Sequence, residues 1–371
     1  MHTPGTTFRS LTIASWLVAG LAVVAALYFA RTLFIPVTLA AVIALVLAPV
    51  VRVLCRLGFP RSAASGLVVV AAIGVVAATL ARLSVPAAEW FSRVPLAMAR
   101  LRYTFREVVT AVQDMREFTQ NMANLSANQP QESAVVVQGP DLTQVFLTNT
   151  GQLLTMIVVT GILLFFLLAN GYLFLQKTVH VLPRFGDKKR AVEIGRALQI
   201  EVSRYLFTIT AINVGLGGAT AAAMAMLGLP DPLLWGVLAA ILNFIPYAGP
   251  ILTVGAILLA SVVTFSTPVA VFMPPLAFGV LSALEGNVIT PLLLGRSLSL
   301  NPVIVFVSLL LWGWLWGPAG LLLAVPLLVI AKILCDHIEP LAVVGEYLSS
   351  LPPGSGASRP AAEPEKAAMP E

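Results

Sequence analysis

The sequence predicts an all-α, polytopic membrane protein of about eight hydrophobic segments, two of them broken at Gly-Pro, with a long amphipathic helical insert after the third. Three observations predict it. The chain is 58% hydrophobic and 11% charged, with mean hydropathy +0.92, whereas a soluble domain is about 25% charged. Apolar runs of about 20 residues, enough to cross a bilayer as a helix, recur along it. Two longer apolar stretches, 233–265 and 302–335, are each broken near the middle.

Span 1 covers 11–30. It follows Arg9 and imitates a secretory leader, but it is long for one, and Tyr28-Phe29-Ala30 is a poor cleavage site, so it reads as an uncleaved span. After Arg31 and Thr32, span 2 covers 33–51. Arg52, Arg56 and Arg61 follow in a loop marked by Gly58 and Pro60. Span 3, 63–83, completes an N-terminal unit, 1–84.

Residues 85–150 change character, with arginines matched by acids. The apolar positions Leu101, Phe105, Val108, Val112, Met115, Phe118 and Met122 recur at near-heptad spacing. This predicts an extracytoplasmic amphipathic helix that packs on its own protein, on the membrane surface or on a second copy. With the Gly/Ala-rich spans, it predicts a homo-oligomer. The polar run 121–139 reads as a loop.

Unit 151–204 joins span 4, 153–175, to a basic amphipathic helix containing Lys188, Lys189, Arg190, Arg196 and Arg204. Unit 205–345 is the expected transport core. Its span 5, 205–227, carries Gly215, Gly217 and Gly218, which allow close helix approach. The first broken stretch, a span at 269–294 and the second broken stretch follow. The tail, 346–371, is rich in Pro, Ala, Ser, Gly and Glu and is expected to be disordered.

The net charge of +5 does not point to nucleic acid, because the basic residues sit in loops beside apolar spans. With both termini cytoplasmic, Arg52–Arg61 and 177–204 fall inside and the charge-balanced insert outside, as the positive-inside rule requires. Cys55 and Cys335 form no disulfide framework. The scattered His2, His180 and His337 form no zinc site, and no nucleophile elbow or phosphate loop occurs. An enzyme, a metal or a cofactor is therefore not expected; the expected partners are the bilayer and a small solute or cation.

The breaks themselves carry functional information. Pro removes a backbone donor and clashes with the preceding turn. Helices broken at membrane depth occur where protein or a water-filled cavity surrounds them, as in transporters and channels. Asn243, Pro246, Gly249 and Pro250 mark the first break, Gly317 and Pro318 the second. One shift superposes Gly249-Pro250 on Gly317-Pro318 and roughly aligns span 5 with the 269–294 span. This reads as a duplicated unit, 205–265 and 269–335. If each break is a re-entrant hairpin, the units are inverted and Arg296 falls inside; if each is a bent full span, Arg296 falls outside. Glu285 is the one acid well inside a span after residue 233. A charge there costs about 2.5–3.5 kcal/mol on insertion scales, so Glu285 is a candidate proton, cation or solute site; the competing reading is a cap on a neighbouring element or an ion pair with Arg296. Asn287 and Pro291 interrupt the same helix. Asn213 reads as an interhelical hydrogen-bonding residue. Trp312, Trp314 and Trp316 read as interface anchors or pore-lining residues.

At these residues the chain resembles the autoinducer-2 exporter family. The motifs are 242–250 (Leu-Asn-Phe-Ile-Pro-Tyr-Ala-Gly-Pro), 284–291 (Leu-Glu-Gly-Asn-Val-Ile-Thr-Pro), 298–302 (Leu-Ser-Leu-Asn-Pro) and 317–326 (Gly-Pro-Ala-Gly-Leu-Leu-Leu-Ala-Val-Pro). The resemblance spans roughly 10–345. It implies a self-associating bacterial inner-membrane transporter, in a family with members linked to autoinducer-2 export and others to sodium/proton exchange. Many members carry a Gly-Gln pair early in span 5. Here the residues are Tyr205-Leu206-Phe207-Thr208-Ile209-Thr210, so the resemblance carries the transporter class and not the autoinducer substrate. The expected function is a permease or exporter of a small polar solute or signal molecule, coupled to a proton or sodium gradient. A passive channel, a cation/proton antiporter and a non-transporting scaffold are the competing readings.

Overall fold

The computed structural model describes residues 4–104, 142–181, 185–294, 300–338 and 341–349, which are almost wholly helical. Helix α1 (Pro4–Phe29) meets α2 (Arg31–Arg56) across Ala30 alone. Helix α3 (Arg61–Thr104) contains Pro86 and Pro95 and runs without a break across the boundary expected at residue 84. The apolar stripe from Phe105 to Met122 and the polar loop after it lie outside the described residues. Helices α4 (Leu142–Val181) and α5 (Phe185–Ala197) follow, and a π turn (Leu198–Val202) leads into α6 (Ser203–Met226).

Five described helical segments are long and apolar enough to cross a membrane, and shorter apolar helices accompany them. Large apolar side chains such as Leu21, Val70, Val214 and Leu292 stand exposed on their surfaces. In water such patches would drive association, whereas hydrocarbon accepts them.

Both broken stretches are helical hairpins. In the first, α7 (Pro232–Leu242) and α8 (Ala248–Thr264) are joined by a turn at 243–247. At about 1.5 Å per residue α7 is roughly 16 Å long, about half of a hydrocarbon core. A Cβ at Gly249 would stand 1.9 Å from the Leu242 carbonyl oxygen, so no side chain fits where the limbs meet. In the second, α11 (Pro302–His337) folds back at Gly317, whose φ of 61° favours glycine. Ser308 Oγ in the first limb donates to the Ala324 carbonyl in the second at 3.1 Å. A Cβ at Gly320 would lie 1.8 Å from the Trp312 carbonyl oxygen. The limbs, 302–316 and 318–337, are thus antiparallel, and a bent full span is ruled out. The structural counterpart of Gly249 is Gly320. Aligning Gly249-Pro250 with Gly317-Pro318 misplaces the register by nearly a turn. Both prolines sit in the first turn of a return limb, where a missing N–H is harmless.

Helix α9 (Pro268–Leu284), a second π turn (Glu285–Ile289) and α10 (Thr290–Leu294) form one rod of 27 residues, about 40 Å long. Hairpin 1 returns the chain to the Met226 end of α6, and this rod runs back beside α6. The base of hairpin 2 therefore lies at the opposite end, where Val329 and Ile333 pack with Val202. Its apex reaches the α1–α2 connection, where Trp316 Nε1 donates to the Leu27 carbonyl at 3.1 Å. The two hairpins enter from opposite sides, and Ile245 at the first apex packs against Val305, Leu309, Ala324 and Leu328 of the second.

Of the three glycines expected to permit close packing in span 5, Gly217 does so. It abuts Gly236 of α7, and a Cβ at either would fall within 2.6 Å of the other's carbonyl oxygen; Gly215 and Gly218 face open space. Helix α12 (Ala342–Leu348) extends order beyond the expected start of the tail at 346. It closes over the base of hairpin 2, with Asn301 N donating to the Leu348 carbonyl at 3.1 Å.

Candidate functional site

The break in hairpin 1 frees the chain from helical geometry at mid-depth and delivers a polar side chain there. Asn243 caps α7 at the apex. Its Nδ2 donates to Asn213 Oδ1 at 2.9 Å and, less closely, to Glu285 Oε2 at 3.4 Å. Thr290 Oγ1 donates to the other oxygen, Glu285 Oε1. Asn213 is fully buried and Glu285 is 8% exposed. Three elements therefore converge: α6 through Asn213, the hairpin apex through Asn243, and the α9–α10 rod through Glu285 and Thr290.

Depth follows from helix rise. Asn213 lies about 15 Å from the Ser203 end of α6, and Glu285 lies about 14 Å from Leu294 at the same end of the antiparallel rod. Both sit near the middle of a bilayer about 30 Å thick in hydrocarbon. Glu285 opens the π turn. A π turn widens the helix by one residue and recurs at functional positions. It brings Thr290, five positions on, back to the carboxylate.

The electrostatics are asymmetric. Glu285 has no ion-pair partner among the described residues. Arg296, the sequence's candidate counter-charge, lies outside them. By contrast, the buried Lys332 near the base of hairpin 2 holds Asp336 Oδ2 at 2.7 Å. Two neutral donors thus hold the Glu285 carboxylate, whose remaining lone pairs can accept from a solute hydroxyl or ligate a cation. Asn213 Nδ2 is buried with no partner among the described residues, leaving a donor in the same cluster.

The candidate residues divide. Asn243 and Glu285 come together. Pro246 is half-buried in the turn; Gly249 is pressed on Leu242, and Pro250 follows it in the first turn of α8. Asn287 is exposed and bonds its own helix at the Ala283 carbonyl. Pro291 is exposed on α10. Gly317 and Pro318 form the far apex, next to Trp316, whose indole reaches the Leu27 carbonyl of α1. Trp316 is buried, while Trp314 is 65% exposed and stacks on Tyr28. Thr290 is a site residue that the sequence alone does not single out. Its signal was its spacing from Glu285, which an α-helical period does not place against the carboxylate and a π turn does.

The model of the AI-2E family transporter matches residues 17–339. The chain is 29% identical over 357 residues to the AI-2 transport protein TqsA of Escherichia coli K12, covering 95% of this chain and 99% of that protein. It is 28% identical over 337 residues to the putative transport protein YhhT of the same organism, covering 90% and 93%. It is 25% identical over 324 residues to the putative transport protein YueF of Bacillus subtilis, covering 82% and 84%. With the family model matched over nearly the whole length, this multi-pass membrane protein belongs to the AI-2E transporter family.

Proposed function

We propose that the chain moves a small polar solute or signal molecule across a bacterial inner membrane through the Asn213–Asn243–Glu285–Thr290 cluster, using a proton or sodium gradient. The observation that carries this reading is a buried carboxylate without a counter-charge among the described residues, held at mid-membrane by a hairpin apex. A charged group at that depth is costly, and a purely structural cap needs no titratable group. Hairpin 1 is the element that opens the site, because its apex is tied to α6 and the rod by hydrogen bonds that a solute can replace. The name of TqsA motivates including autoinducer-2 among the solutes tried.

Purified protein in vesicles, given a panel of polar solutes with and without an imposed pH or sodium gradient, tests the proposal. Gradient-dependent flux that loses its pH dependence in Glu285→Gln is expected. Flux that ignores both the gradient and this substitution supports a passive pore. The orientation with both termini cytoplasmic is supported by the basic loops. It predicts that a cysteine at Ser297→Cys is labelled from the cytoplasmic side; labelling from outside alone refutes it.

A further inference from the structure

A second site lies away from the polar cluster, between the far half of α3 and the base of hairpin 1. It is an apolar cavity of about 230 Å3 whose walls include Trp90, Ala97, Leu234, Trp235, Ala256 and Ala260. The depth of the cavity follows from two hydrogen bonds. Trp90 Nε1 donates to Asp231 Oδ2 at 3.0 Å, at the base of the first limb. Arg100 Nη1 donates to the Val263 carbonyl at 3.0 Å, at the base of the second. Helix α3 therefore crosses the hairpin base at the level where α6 ends, which is the edge of the bilayer. The Trp90 and Trp235 rings pack edge to face at 5.3 Å. An indole with its N–H on a carboxylate and its rings on apolar surface is the arrangement found where hydrocarbon meets headgroups.

The mouth of the cavity is basic. Arg93 lies over the Trp90 ring at 5.1 Å and reaches Glu89 at 3.5 Å. Arg100 projects from the same helical face two turns on, and both guanidinium residues are exposed. Beside the apolar hollow stand two exposed guanidinium groups, the exposed Glu89 and the half-buried Asp231, whose carboxylate is engaged by the Trp90 indole. That hollow exceeds the roughly 150 Å3 cavity that takes up benzene, and apart from Arg93 at its mouth its walls are apolar or aromatic. We infer that this is a binding site for one anionic phospholipid, with an acyl chain in the cavity and the phosphate against Arg93 and Arg100. The bound lipid wedges α3 onto the base of hairpin 1, the element whose apex carries Asn243. The lipid site stands independently of the transport reading.

Native mass spectrometry of the full chain in mild detergent, titrated with phosphatidylglycerol or phosphatidylcholine, tests it. The wild type is expected to retain one phosphatidylglycerol at least tenfold more strongly than phosphatidylcholine. Filling the cavity with Ala260→Phe, or from the opposite wall with Ala97→Leu, should abolish retention. The double substitution Arg93→Gln with Arg100→Gln alters exposed side chains. It should remove the preference between the two lipids while leaving weak binding of both. Equal retention of the two lipids by the wild type overturns the proposal. So does a preference that survives the double substitution, or retention unchanged in a folded cavity-filling variant.

Discussion

The two hairpins share a plan and differ at their tips. Each begins with an Asx-Pro pair, Asp231-Pro232 and Asn301-Pro302. Each uses one glycine, Gly249 or Gly320, where the return limb meets the carbonyl of the outgoing limb. Hairpin 1 ends in a five-residue turn whose Asn243 hydrogen-bonds to two other elements. Hairpin 2 turns at a single glycine, and its tip is fixed by Trp316 donating to Leu27 and packing with Trp312 at 4.7 Å between ring centroids. A tip held by polar side chains can exchange its partners for a solute. A tip held by aromatic burial cannot do so without exposing apolar surface. Under the proposed function, hairpin 1 is the gate and hairpin 2 the anchor.

The largest expected effect tests what the hairpins share. Gly249→Ala and Gly320→Ala each drive a Cβ into backbone, which cannot swing aside as a flexible side chain can. Each should cost at least the roughly 3 kcal/mol at the top of the usual overpacking range. Folded yield in detergent should collapse for both. Gly317→Ala meets no atom within 4 Å and strains only a backbone conformation, φ 61° and ψ −138°, that residues with a Cβ rarely adopt, so about 1–3 kcal/mol is expected. Thermal unfolding that ranks Gly317→Ala as the most damaging of the three would break the proposed equivalence of Gly249 and Gly320.

The next effect should separate the tips. Asn243→Ala removes the bridge between α6 and the rod while leaving the apolar packing of Ile245 in place. Solute flux per folded molecule in vesicles should fall at least tenfold, while the two buried acceptors left unpaired lower stability by about 1–3 kcal/mol. Ser308→Ala, which removes the hydrogen bond between the limbs of hairpin 2, should leave flux within twofold of wild type. Equal losses in the two variants would erase the division of labour.

Much of this plan is legible in the sequence, because the physics that produces it is local. Apolar run length marks the membrane-crossing helices, Pro marks the breaks, and a lone acid in an apolar run marks Glu285. What was not legible depends on register. The Gly-Pro pairs look equivalent, yet whether Gly317 or Gly320 touches the opposite limb depends on where the chain reverses. A five-residue turn and a one-residue turn place it differently. Asn287 stood as near to Glu285 in sequence as any polar residue, but the π turn directs it outward and brings Thr290 in. The interhelical bonding that a polar residue in an apolar span implies for Asn213 is made with Asn243. That the pair would include a carboxylate required knowing that α6 and the rod are antiparallel and matched in depth.

Thr290→Val sharpens the description of the polar tip's partner. Valine keeps the shape and removes the hydroxyl that donates to Glu285 Oε1. A hydrogen bond to a charged group contributes about 1.5–3 kcal/mol, and Asn243 remains as the second donor. Flux should fall several-fold rather than vanish, and its pH profile should move, because the hydroxyl donates more strongly to a charged carboxylate than to a neutral carboxyl. An unchanged profile would place Thr290 in a structural role.

The smallest effect is expected at the aromatic tip. Trp316→Phe retains most of the buried ring surface and deletes the N–H that donates to the Leu27 carbonyl. A neutral hydrogen bond contributes about 0.5–1.5 kcal/mol, and an unpaired buried carbonyl adds to the loss. The smaller ring also leaves a modest void beside Leu315 and Leu323, which share its cluster. Stability should therefore drop by about 1–3 kcal/mol, read as a lower unfolding midpoint in detergent. If hairpin 2 is only an anchor, flux per folded molecule and its pH dependence should match wild type, since no group in contact with Glu285 has changed. A flux loss as large as that of Asn243→Ala, at full folded yield, would mean that the aromatic tip moves during transport. The roles of the two hairpins would then have to be shared rather than divided.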